Sequence, residues 1–207
     1  FGYTPTFVVS YGGLMGEEYW YDRTEVWKNE RLLRYTPSFL LDERAIRRPT
    51  APDNQYNHVE VAKYAKELRD EGVSVHIGAH GQREGLAAHW ELWLMTHGGF
   101  TPWEALRGGT IDGAKHLGMG NHLGSIEAGK LADMMIVDGD VLNDIRRSEY
   151  VSYTVINGRV YDAATMNEVG SKTKRPAFFF EKNNKLFMPE ATQQSIQRKS
   201  EKHHWVH

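Results

Sequence analysis

An α/β chain is predicted, with strands and helices alternating over its first half and short hairpins after that, on three observations. Apolar residues recur at helical spacing up to about Asp70 and again from Leu86 to His97. Between them Val73–His80 alternates with the period of a strand. Further on, Asn157-Gly158 separates Val155-Ile156 from Val160-Tyr161, a two-residue hairpin signal because both turn positions need positive φ.

Taken in order, Thr4-Pro5-Thr6-Phe7-Val8-Val9-Ser10-Tyr11 suits a strand with Pro near its start, ended by Gly12-Gly13. From Leu14 to about Tyr56 no period is sustained, yet Tyr19, Trp20, Tyr21, Trp27, Phe39 and Leu40 are too apolar for a floppy linker. A packed, partly helical insertion is expected there, of the kind that often forms a lid or binding loop. Asp53 or Asn54 can cap the next helix, which carries Val61, Ala62, Ala65 and Leu68 on one stripe and stops at Gly72. After the strand, Leu86, Trp90, Trp93, Leu94 and His97 mark an amphipathic helix ended by Gly98-Gly99.

Thr101, Pro102 and Glu104 form a capping-box start, and Thr110 can cap a second short helix running through Ala114 to Leu117, with Gly118 as its stop. Ser125-Ile126-Glu127 reads as a strand, Ala128-Gly129-Lys130 as a turn, and Met134–Val137 as a strand buried on both faces. By itself this block is a β-structured packing module. After Gly170 the chain is polar and basic apart from Ala177-Phe178-Phe179-Phe180, and a partly ordered tail is expected.

Composition bounds the function. The chain has 207 residues, 40% of them hydrophobic, which is enough to build a core. Lys plus Arg number 25 against 27 Asp plus Glu, so there is no basic footprint for nucleic acid or an anionic membrane. No run approaches the roughly 18 apolar residues of a membrane span. Without cysteine, disulfides, thiolate metal sites and a Cys nucleophile are excluded. The sequence starts at Phe1 on a strand-like run with no signal peptide, and it is expected to be a piece of a longer polypeptide.

Chemistry enters at Val73–His80. Alternation puts Val73, Val75, Ile77 and Ala79 on one face and Ser74, His76, Gly78 and His80 on the other, with His80 at the strand's C-terminal end. His76 and His80 are about 13 Å apart along a strand, too far to ligate one metal. A lone strand-end His is more often a structural hydrogen-bonding group than a ligand. His89 sits on the following helix, where hydrogen bonding to the protein competes with a place at the site. Tyr11 and Gln82 are polar groups beside candidate strand ends, placed to contact substrate. His203, His204 and His207 read as tail rather than metal site. Gly12-Gly13 lacks the following helix and the spacing of a nucleotide loop.

Gly78-Ala79-His80 with Ala88-His89-Trp90-Glu91-Leu92, followed by the block from Thr101 to Tyr161, resembles the C-terminal part of the metal-dependent amidohydrolases, of the imidazolonepropionase and prolidase kind. Thr4–Gly13, Glu25-Val26-Trp27-Lys28 and Ala79-His80-Gly81-Gln82 are similar to an exported subgroup fused behind a Tol-type periplasmic β-propeller. The resemblance covers about residues 4 to 170. It implies an α/β fold made of the C-terminal fragment of a (β/α)8 barrel, about strands seven and eight with their helices, plus part of the small β-sandwich domain that accompanies it. It divides the chain at 1–117 (barrel, with the insertion at about 14–56), 118–170 (β-sandwich segment) and 171–207 (polar tail).

The same resemblance implies a hydrolase of C–N bonds in a cyclic amide, amidine or peptide-like substrate, using a divalent metal such as zinc. His80 stands where the family has a metal-binding Asp at the end of the eighth strand, so its implied roles are catalytic base and metal ligand, with Tyr11, Gln82 and His89 on the substrate. Neutral imidazole binds Zn²⁺ and accepts a proton near neutral pH, but it lacks the carboxylate's negative charge, which predicts a changed pH profile. The other family ligands would precede Phe1, so the fragment alone is expected to be inactive and to bind no metal. Its expected partners are the missing N-terminal barrel half or copies of itself, through exposed strand edges. Export implies the periplasm or a secreted location. The alternative is a non-catalytic module, derived from an amidohydrolase, that serves assembly or ligand capture.

Overall fold

The computed structural model of the chain describes residues 1–9, 19–37, 50–80, 83, 85–178 and 181. Tyr11, Gly12-Gly13, Phe39-Leu40, Gln82 and the tail histidines lie outside the described residues. In chain order the elements are β1 (Gly2–Tyr3), α1 (Tyr19–Arg23), α2 (Glu30–Tyr35), α3 (His58–Asp70), β2 (Ser74–Val75), α4 (Leu86–His97), α5 (Pro102–Gly108), α6 (Ile111–His116), β3 (Met134–Val137), β4 (Val151–Ile156) and β5 (Arg159–Asp162). Short 3-10 turns stand at Phe7–Val9, Val26–Lys28, Asp53–Gln55 and Ile145–Glu149. The chain divides into two compact units, Phe1–Trp20 with Pro49–Arg175, and Tyr21–Arg48 with Pro176–His207.

In the first unit β1 and β2 pair in parallel, Gly2 with Ser74 and Tyr3 with Val75. The pairing is continued by the His76 amide on the Tyr3 carbonyl at 3.0 Å. Parallel neighbours need a long crossover, and α3 forms its last part. The strand expected from Thr4 is displaced: pairing ends at Tyr3 and Phe7–Val9 turns as a 3-10 helix. Pro5 has no amide for a ladder, and the Phe7 and Val8 amides are taken by a side chain of α4. β2 is accordingly short, because its partner strand is only two residues long.

The core is built around α4. Its bounds are those expected, but it is not a one-sided amphipathic helix: Ala87, Trp90, Glu91, Leu92, Trp93, Leu94 and Met95 are all buried. Helices α3 and α5 and the 3-10 turns at Phe7–Val9 and Ile145–Glu149 pack around it. Burying a side chain such as Leu94 or Met95 contributes roughly 1.5–3 kcal/mol each. α3 turns His58, Ala62 and Ala65 inward and comes so close to the end of α4 that a Cβ on Gly98 would lie 2.2 Å from the Ala62 carbonyl carbon. Asp53 and Asn54 do not cap α3. They form the preceding 3-10 turn, and Asn57 takes the N-cap position without a side-chain bond.

The capping box of α5 is present: the Glu104 amide donates to Thr101 Oγ1 at 3.2 Å and the Thr101 amide to Glu104 Oε2 at 2.8 Å. Thr110 precedes α6 as expected, but its hydroxyl donates to the Leu106 carbonyl at 2.7 Å rather than capping. Asp112 on α6 accepts from Arg107 of α5 and, at 3.3 Å, from Arg69 of α3, tying three helices together. Burial pushes the Asp112 carboxyl up, but the two guanidiniums outweigh it and hold it below its ordinary value.

Beyond α6 a three-stranded antiparallel sheet forms in the order β3-β4-β5. The hairpin turns at Asn157 (φ 48°) and Gly158 (φ 80°), the left-handed pair of a type I′ turn. Two expectations fail here. Ser125–Glu127 is irregular rather than a strand, and side-chain bonds among Ser125, Glu127 and Lys130 close it over the expected turn at Ala128-Gly129. Met134–Val137 is a strand, but it is the sheet edge, and Met134, Met135 and Ile136 are 37–47% exposed rather than buried.

The second unit holds α2, whose first turn is capped by Asn29 accepting from the Leu32 amide at 3.1 Å. Tyr35 meets Phe178 edge to face at 6.4 Å.

Candidate functional site

The C-terminal ends of β1 and β2 lie side by side, and one helix residue joins the segments that follow them. Glu91, on the second turn of α4, is fully buried. Its Oε2 accepts the Phe7 amide at 3.0 Å and its Oε1 the Val8 amide at 2.7 Å. Burial pushes its pKa up to about 7, against the opposing pull of the Val8, Phe7 and Gly78 amides. Gly78, past the end of β2, is packed so tightly that a Cβ there would stand 2.6 Å from the Pro5 carbonyl oxygen. Two residues further on, His80 is exposed and has φ 53°, a left-handed conformation uncommon outside glycine.

Directly after β2, His76 is buried, on the same face as Ser74. Its Nε2 lies 2.8 Å from Ser74 Oγ and its Nδ1 3.2 Å from Thr4 Oγ1. The His116 ring stacks on it at 4.5 Å. Burial, and then the neighbouring His116, lower the His76 pKa, so the ring is held neutral. These contacts make His76 a structural group linking β1, β2 and α6.

His89 Nδ1 lies 3.1 Å from the hydroxyl of Ser148, which also accepts the Trp93 indole N–H at 3.0 Å. Ser148 is fully buried, so this pair fastens the 3-10 turn before β4 onto α4. Elsewhere His58 Nε2 and His97 Nδ1 meet at 3.2 Å among the rings of Tyr19, Trp20 and Tyr56. A cavity of about 290 Å³ opens beside them, lined by Trp20, Trp93, His97, Pro102, Asp144 and Arg146 among others. It does not include His80.

The strand expected to run to His80 ends at Val75, and His80 stands in a turn five residues beyond it, because pairing stops where β1 ends at Tyr3. The structure places His89 against Ser148. Tyr11 and Gln82 fall outside the described residues. Among the described residues no three His, Asp or Glu side chains gather as ligands, so by themselves they do not fit a complete metal centre. Sequence reasoning passed over Glu91, whose signal was a lone acid within an otherwise apolar helix.

The sequence profile of the amidohydrolase family matches residues 39–161, more than half of the chain. The chain belongs to the amidohydrolase family. No curated protein matches it. Among solved structures it is similar to a Xaa-Pro dipeptidase with bound methionine in its active site, at 24% identity and TM-score 0.47 over 61% of this chain and 32% of that one. It is also similar to molinate hydrolase, at 24% and 0.44 over 55% and 27%. A putative prolidase from Bifidobacterium longum matches at 23% and 0.45 over 65% and 33%. The chain thus spans about a third or less of the length of these structures.

Proposed function

We propose that the protein to which this chain belongs is a metal-dependent hydrolase of C–N bonds, acting on a cyclic amide, amidine or peptide-like substrate. The observation that carries this reading is the family match at 39–161, which contains β2 and the segment after it that leads to His80. His80 supplies an exposed imidazole there, placed to take a proton from the attacking water or to bind metal. A divalent ion such as zinc would be held by His80 with ligands that the described residues do not supply, and would polarise the scissile carbonyl and acidify water. Tyr11, Gln82 and His89 are assigned to the substrate side. In this reading β1 and β2 are strands seven and eight of a (β/α)8 barrel, and β3 to β5 are part of its small β-sandwich domain. The prolidase-like, exported subgroup fused to a Tol-type β-propeller, and with it a periplasmic location, belong to the same proposal, supported by the Ala79-His80-Gly81-Gln82 wording.

The test is metal analysis of the protein together with a hydrolysis screen over cyclic amides, amidines and dipeptides, run beside His80→Ala. A loss of about 10²-fold or more in kcat is expected, the scale of a positioned acid or base. Unchanged activity in His80→Ala removes His80 from the mechanism. Absence of both metal and hydrolysis turns the reading to an assembly module.

A further inference from the structure

We propose that Glu91 is a positioning residue: its carboxylate clamps the 3-10 turn after β1 and the segment after β2 to helix α4 and so sets where His80 stands. The catalytic consequence rests on the hydrolase reading, whereas the clamp rests on geometry alone.

Each carboxylate oxygen takes one of two successive amides, Phe7 at 3.0 Å and Val8 at 2.7 Å. Two consecutive N–H groups converging on an anion form a nest, which fixes the backbone that carries them. The Gly78 amide acts on the same carboxylate from the segment after β2. Close approach is an independent sign of the clamp: Gly78 leaves no room for a Cβ, which would lie 2.6 Å from the Pro5 oxygen and 2.9 Å from Thr6 Oγ1. Both segments are thus held from the helix side and against each other. Only Ala79 separates Gly78 from His80, so the clamp fixes the backbone from which the imidazole projects.

Stability alone does not call for this arrangement. Glu91 is 0% exposed on a helix whose other buried residues are apolar, and burying a carboxylate costs free energy that an apolar residue would not. A buried group whose charged form is disfavoured, set beside a candidate site, is a common mark of function. The elements packed against α4 carry His58, Glu60, Lys63, Tyr64, Lys66, Glu67, Arg69 and Asp70 on α3, Glu104 and Arg107 on α5, and Arg146, Arg147 and Glu149 on the 3-10 turn, with His89 and His97 on α4 itself. Burial and the three backbone amides, rather than these side chains, dominate the balance at Glu91. A neutral carboxyl turns one oxygen into a donor, which faces an amide instead of accepting from it, and the clamp loosens.

The experiment follows the ¹H–¹⁵N amide signals of Phe7, Val8 and Gly78 in the ¹⁵N-labelled protein between pH 5.5 and 8.5. The three amides are expected to titrate together with a midpoint near 7 in the wild type, and Glu91→Gln to abolish that titration and speed Val8 amide exchange at least tenfold. On any hydrolysed substrate, Glu91→Gln is expected to lower kcat at least tenfold with KM within about twofold, and Glu91→Asp to restore part of it. Unprotected Phe7 and Val8 amides in the wild type overturn the clamp without recourse to any variant, as does wild-type exchange in a folded Glu91→Gln. Wild-type protein that hydrolyses no C–N substrate overturns the hydrolase reading instead, while the amide signals still decide the clamp.

Discussion

Glu91 couples the fold to pH in a direction set by its environment. Its folded pKa of about 7 lies above the ordinary 4.5, so the native state holds the proton more tightly than the unfolded chain. The stabilisation from the neutral form is complete below pH 4.5 and is lost as pH rises through 7, by about 3 kcal/mol. Urea unfolding at pH 5 and 8 is expected to show this fall in the wild type and a flatter profile in Glu91→Gln. Gly78→Ala forces a methyl to within 2.6 Å of the Pro5 oxygen, and a cost of about 1–3 kcal/mol is expected as a lowered Tm. His80 was singled out because Ala79-His80-Gly81-Gln82 is a distinctive local wording. Glu91 was not, because its partners are backbone amides more than eighty residues away, and an amide leaves no residue-type signature.

Among the elements, two that are governed by neighbours a few residues apart matched expectation. The capping box at Thr101 is one, and Thr101→Ala is expected to lower stability by about 1 kcal/mol in thermal unfolding. The type I′ turn at Asn157-Gly158 is another, since positive φ at both positions is a local requirement. The 3-10 turn at Phe7–Val9 was missed because a β-prone run was recruited by a distant carboxylate. The turn at Ile145–Glu149 likewise depends on a long-range bond. Ser148→Ala strips the Trp93 indole N–H of its acceptor and is expected to cost about 1–3 kcal/mol, with a change in tryptophan fluorescence as the measure.

At the scale of the whole molecule, apolar residues remain on the sheet surface. Met134, Ile136 and Tyr153 share a face by register and are 37%, 47% and 38% exposed, and Ile156 beside the turn is 60% exposed. Exposed apolar surface on a sheet with an unpaired edge favours association. The chain expressed alone is expected to self-associate in sedimentation velocity, and a well-folded monomer would count against that expectation. The sequence by itself determined the bounds of α4, the capped start of α5 and the closing hairpin, because these follow from side-chain spacing and from φ preferences within a few residues. Only the tertiary structure decided that Met134–Val137 is an exposed edge, that His89 turns to Ser148, and that Glu91 joins the segments after two strands. Those outcomes depend on which groups the closed chain brings within about 3 Å of one another, and separation along the sequence carries no record of that distance.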